Sequence, residues 1–166
     1  MVETARRPIY TIRERRMSVD LTAARSTLTA QAVMVLLQGA LDHAAALGKP
    51  VYVATMDASA RLVGLVGSDA APLICADVAQ HKAYTSVSMR MPTANFKAML
   101  DSVGPDEREI FLGHAGHIAA DGGFPIVVNG LVVGGIGVSG AGQAEDGACA
   151  RAGVAAFELA MASQDL

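Results

Sequence analysis

Tryptophan is absent, and aromatic residues make up only 4% of the 166 residues. A core without large rings must be filled by aliphatic and small side chains, which lets helix and sheet approach closely. Charge is scarce as well, at 17% against a usual share of about 25%. So little charged surface favours burial of extra area against further copies of the same chain. The two cysteines, Cys75 and Cys149, stand far apart in apolar helix-like settings and read as buried thiols, so no disulfide is expected. No run approaches the roughly 18 apolar residues of a membrane-spanning helix, and no apolar leader opens the chain. A formal charge of −3 argues against nucleic acid as a partner of the whole domain. These absences predict a cytoplasmic protein with no membrane partner.

What is present divides into an arm and one domain. Residues 1–20 carry Arg6, Arg7, Arg13, Arg15 and Arg16, diluted by Glu3, Glu14 and Asp20, with Pro8-Ile9-Tyr10 as at most a short strand. This basic N-terminal arm reads as solvated. Residues 21–166 read as a single domain. Thr29 is an N-cap with Leu28 as its staple, and Ala32, Val33, Leu36, Leu37, Ala40, Leu41 and Ala44 recur at helical spacing until Leu47-Gly48 and Pro50. Val51–Met56 and Leu62–Val66 form a first hairpin. Ser68-Asp69 signals a long helix over 71–89, ended by Met91-Pro92. Thr93 caps a short helix through Leu100, Glu107–Phe111 adds a helical turn, and 112–120 is a loop.

The stretch at the centre is Asp121–Gly140, DGGFPIVVNGLVVGGIGVSG. Asn129-Gly130 between two β-rich runs, Pro125–Val128 and Leu131–Val133, predicts a hairpin, because a type I′ turn needs positive φ at both central residues. Gly134, Gly135 and Gly137 interrupt the second strand, where another backbone or a ligand can come close. Gln143–Ala162 closes the chain as a helix, with Ala148, Ala152, Ala155, Ala156 and Leu159 toward the sheet and Glu145 and Asp146 serving the macrodipole. The elements add up to an α+β domain with helices packed on an antiparallel sheet.

Two segments resemble a known family. ADVAQHKAYTSVSMRMPT (76–93) has its Ala, Lys-Ala, Thr and later Pro-Thr. GGFPIVVNGLVVGGIGVSG (122–140) is similar to its glycine-framed signature, and Asp146, Ala150, Gly153 and Ala156 continue the match. The chain resembles the GlcG/HbpS-like family, related to the C-terminal domain of PduO, from about Leu28 to Phe157. The resemblance implies a profilin-like fold, a five-stranded antiparallel sheet with helices on both faces. It also implies homo-oligomers, and haem as a ligand of several relatives. The chain departs from the pattern at Asp57-Ala58-Ser59-Ala60, where relatives often carry Asp-x-x-Gly. It departs again at Gly67-Ser68-Asp69, where an Arg-Met-Asp would supply a fixed positive charge.

Imidazole is the commonest metal and haem ligand among side chains and titrates near neutrality, so the histidines are the first candidates. His43 lies opposite the apolar face of its helix, on solvated surface. His81 neighbours Lys82. His114 and His117 share a glycine-bearing loop just before Asp121; two imidazoles are too few for a metal site, and none is expected. Lys82, Tyr84, Thr85 and Arg90, with Gly122 and Gly123, form a candidate ligand-binding edge. In the family the Lys-Ala-x-Thr segment packs against the glycine-rich hairpin, so Lys82 either satisfies carbonyls there or reaches an anionic ligand. Walker and dinucleotide fingerprints and the nucleophile elbow are missing. One expectation is a haem- or tetrapyrrole-binding homo-oligomer with an axial ligand among His81, His114 and His117. The alternative is an enzyme acting on a small organic or aromatic acid. There His114 or His117, with Asp121, would do acid–base work and Lys82 or Arg90 would clamp the anion.

Overall fold

The first strand of one hairpin pairs with the second strand of the next to make the sheet in the computed structural model, which describes residues 21 and 23–163. The chain runs α1 (Ala30–Ala46), β1 (Tyr52–Asp57), β2 (Leu62–Gly67), α2 (Ile74–Met89), α3 (Thr93–Ser102), α4 (Pro105–Gly113), β3 (Gly123–Val128), β4 (Leu131–Ser139) and α5 (Gln143–Ala162). The strand order is β2-β1-β4-β3, antiparallel throughout, with Tyr52 opposite Ser139 and Asp57 opposite Gly134. The resemblance implied five strands; among the described residues the sheet has four, with β2 and β3 as its edges. The arginine-rich arm and Pro8-Ile9-Tyr10 lie outside the described residues.

Helices cover both faces. Alternation along β1 sends Val53 toward α1 and α5, and Ala54 and Met56 toward α2, so two cores form on either side of the sheet. The α2 face is built from Ala79, Ala83 and Val87. Small residues there bring the helix axis close to β4, and the glycines of β4 are what admit it. A methyl at Gly135 would lie 2.6 Å from Ser86 Oγ, and one at Gly137 would collide with the Ala79 carbonyl. The strand therefore continues through these glycines to Ser139 and is not interrupted by them.

Several boundaries move for local reasons. Ser68 does not start α2: its Oγ accepts the Val51 N–H at 3.2 Å, and Pro72 holds Ala71 away from helical geometry until Leu73. Thr93 does not cap α3; Pro92 occupies that position, and the buried Thr93 hydroxyl accepts the Gly123 N–H at 3.0 Å. Pro105 at the first turn extends the expected helical turn into α4. In α5 the buried side is Asp146, Gly147, Cys149, Ala150, Gly153 and Phe157, while Leu159 is exposed. The expected alanine face is thus displaced, because Gly153 allows contact with the Leu36 carbonyl region of α1 that a Cβ would block. Thr29 caps α1 as expected, its Oγ1 accepting the Ala32 N–H at 3.2 Å. Cys149 is buried and Cys75 half-buried, both as free thiols.

Candidate functional site

The residues marked out by the sequence fall into three places. The first is a buried ion pair. Lys82 Nζ donates to Asp146 Oδ2 at 2.7 Å and to the Val138 carbonyl at 2.9 Å, with only 2% of the lysine exposed. Asp146 Oδ1 accepts the Ala141 N–H at 2.9 Å. Burial pushes the Asp146 carboxyl above the usual carboxylate range, and the Lys82 ammonium opposes that shift. Gly122, at φ +118°, lies directly over this pair, since a Cβ there would stand 2.9 Å from Lys82 Nζ and 2.7 Å from the Val138 carbonyl. Its carbonyl accepts the Val138 N–H at 2.9 Å. Lys82, Gly122 and Gly123 therefore join α2, β4 and the start of α5, and their polar groups are used internally. Asp146 lies in the first turn of α5 as expected and is in addition the partner of Lys82, while its neighbour Glu145 caps the helix, accepting the Gly142 N–H at 2.8 Å.

The second place gathers the loop histidines. His114 and His117 have ring centroids 4.6 Å apart, and Tyr84 on α2 stacks on His114 at 6.0 Å and 14°. Tyr84 also lies 5.8 Å from His117, whose other side meets Phe96 at 5.5 Å. Thr85 ties the loop to α2: its Oγ1 accepts the Ile118 N–H at 2.9 Å and donates to the Gly116 carbonyl at 3.3 Å. His117 Nδ1 lies 2.9 Å from the Phe111 carbonyl, and since a carbonyl only accepts, Nδ1 carries a proton. Its Nε2 lies 3.2 Å from Ser88 Oγ. Both His117 nitrogens are thus engaged. His114 is exposed, and its ring nitrogens make no hydrogen bond among the described residues.

The remaining candidates do not join this cluster. Asp121 turns to the start of α5, where Oδ1 accepts the Gly122 N–H at 2.7 Å and the carboxylate rests against Gly147. The expected His114–His117–Asp121 combination is therefore not assembled around one point. His81 is exposed on α2, about one helical turn before Tyr84 and Thr85. Arg90 forms the third place: it ends α2 in the left-handed region (φ 55°) and lines an open groove with Ser88. The sequence reading passed over Ser88 and Phe96. Ser88 was within reach of it, standing four residues after Tyr84 on one helix face.

A family model described as "Haem degrading protein HbpS-like" matches residues 28–155. The chain belongs to the HbpS-like family. Among solved structures, HbpS is 30% identical at a TM-score of 0.75, over 81% of this chain and 93% of that one. A double mutant of Streptomyces reticuli HbpS gives 27% identity and a TM-score of 0.76, over 92% and 97%. A PduOC:heme complex gives 25% identity and a TM-score of 0.72, over 78% and 94%. Klebsiella pneumoniae ORFY, at 20% identity and a TM-score of 0.78 over 84% and 97%, shares the fold. No curated protein matches the chain. No helix among the described residues is long and apolar enough to cross a membrane.

Whether this HbpS-like chain suits a haem can be asked of its donors. Haem iron takes an accessible axial donor (a histidine nitrogen, a cysteine or methionine sulfur, or a tyrosine oxygen) beside apolar surface for the ring. His114 offers that nitrogen, and Leu112 and Ile110 at the same end of α4 are exposed. The donor set fits axial ligation. Enclosure is another matter: a cavity of about 210 Å³ between α1, α5 and β4 contains no histidine and is smaller than the roughly 300 Å³ lower bound of ligand pockets. Among the described residues, then, the fit is to an open face of the protein.

Proposed function

We propose that this HbpS-like protein binds haem or a related tetrapyrrole, with His114 as iron ligand, in a homo-oligomer whose second copy completes the site. The observation that carries the reading is the exposed His114 imidazole, held flat against Tyr84 with both nitrogens uncommitted among the described residues. Bound haem supplies an iron centre that takes an imidazole nitrogen and undergoes redox chemistry. The protein's part is to orient that nitrogen. Tyr84 sets the plane of His114, His117 braces it through the 4.6 Å ring contact, and the Phe111 carbonyl and Ser88 fix His117 in turn. Cys75 and Cys149, both free, suit a reducing cytoplasm.

Haemin titration of purified protein, followed by absorbance, tests the reading. The expected result is a saturable, red-shifted Soret band that His114→Ala abolishes and His81→Ala leaves in place. His117→Ala should weaken binding while keeping the band position. A spectrum identical to that of free haemin, or one unchanged in His114→Ala, would overturn the assignment.

A further inference from the structure

A groove of about 720 Å³ opens between the β1–β2 turn, the C-terminal end of α2 and the β3–β4 turn. Its volume falls in the usual range for small-ligand sites. Val87, Val127, Leu131 and Val132 are its larger apolar residues, and two arginines, Arg25 and Arg90, line it together with three serines, Ser88 among them. Among the described residues no acidic side chain lines it, although the chain as a whole carries a net charge of −3. The ion pairs among the described residues use Lys49, Arg61, Lys82, Lys97 and Arg108, so neither Arg25 nor Arg90 pairs with an acid there. Two exposed arginines on the lining of one concavity give it a positive character that suits an anion.

The backbone around the groove is unusual in the same place. The left-handed non-glycine residues among those described are Ala60 (φ 57°), Arg90 (φ 55°) and Asn129 (φ 51°). Ala60 and Arg90 line the groove, and Asn129 precedes Gly130, which lines it too. Each has a local cause: Ala60 sits in the turn organised by Asp57, Arg90 ends α2, and Asn129 opens the two-residue hairpin turn, so turn and cap geometry sets the rim of the groove.

We propose that this groove binds a small carboxylate with an apolar body, aromatic or branched aliphatic. Arg90 and Arg25 take the carboxylate, as planar guanidiniums do, and the valines take the body. Ser88 stands on the lip and reaches His117 Nε2 at 3.2 Å, so occupancy is felt at the histidine cluster. This site is separate in its donors from the haem reading and does not depend on it.

Benzoate, acetate and inorganic phosphate are titrated calorimetrically into haem-free, full-length protein. Benzoate should bind saturably and at least tenfold tighter than acetate or phosphate. Arg90→Gly keeps the left-handed backbone while removing the guanidinium, and together with Arg25→Ala it should weaken benzoate at least tenfold; His114→Ala should not. Benzoate should also shift the His117 imidazole resonances, an effect lost in Ser88→Ala. Absence of saturation, phosphate binding as tight as benzoate, or unchanged affinity in both arginine variants would overturn the proposal. So would failure of benzoate to bind while Arg90→Gly weakens haemin, because the arginines would then serve a porphyrin propionate.

Discussion

Lys82 Nζ is held between the Val138 carbonyl and Asp146, and turning it outward would leave a carboxylate alone beneath Gly122. The lysine is one of two cations, with Arg90, that the sequence offers as a clamp for an anionic ligand. Burial decides otherwise. A buried pair adds little net stability, but breaking it from one side is expensive. Lys82→Met should therefore cost about 3–5 kcal/mol in urea unfolding. Lys82→Met combined with Asp146→Leu should recover most of that loss. A single-variant cost below about 1 kcal/mol, the range of exposed pairs, would show that the pair is solvated. His114 and His117 make the opposite contrast: they are neighbours in the sequence and in space, yet only His114 keeps uncommitted nitrogens among the described residues.

Turns and strands carry the next scale of consequence. Asp57 organises the β1–β2 turn, its Oδ1 accepting the Ser59 and Arg61 N–H groups at 2.8 and 3.0 Å. Burial would raise its pKa, but these bonds and the Arg61 guanidinium outweigh it and hold the carboxyl below its usual range. The same turn forces Ala60 to φ 57°, a conformation that disfavours any residue with a Cβ. Ala60→Gly should therefore stabilise the protein by about 0.5–1 kcal/mol, after allowing for the extra freedom glycine has when unfolded. A lower thermal midpoint for Ala60→Gly would mean that the turn is not strained as described. Along β4 the constraint runs the other way, since Gly135 and Gly137 are the surface on which α2 rests.

At the scale of the molecule, both sheet edges remain unpaired among the described residues, and both carry apolar side chains. Leu62, Val63 and Leu65 on β2 are 45%, 43% and 40% exposed, and Val127 on β3 is 52% exposed. Charged groups on an edge block strand pairing, and here they are few. Leu65→Lys should lower the mass measured by sedimentation equilibrium, and a monomeric parent would dispose of the homo-oligomeric reading. The order of helices and strands, the Asn129-Gly130 turn, the Thr29 cap and the family were legible in the sequence because each depends on residues close along the chain. The partner of Lys82, the side of α5 that faces inward, the orientation of Asp121 and the groove between Arg25 and Arg90 were not. Each joins segments tens of residues apart, for example Lys82 with Asp146 and Thr93 with Gly123. Local propensity and periodicity determine which elements form. Which polar groups end up buried together, and which stay exposed for a ligand, was decided only when the sheet brought distant segments into contact.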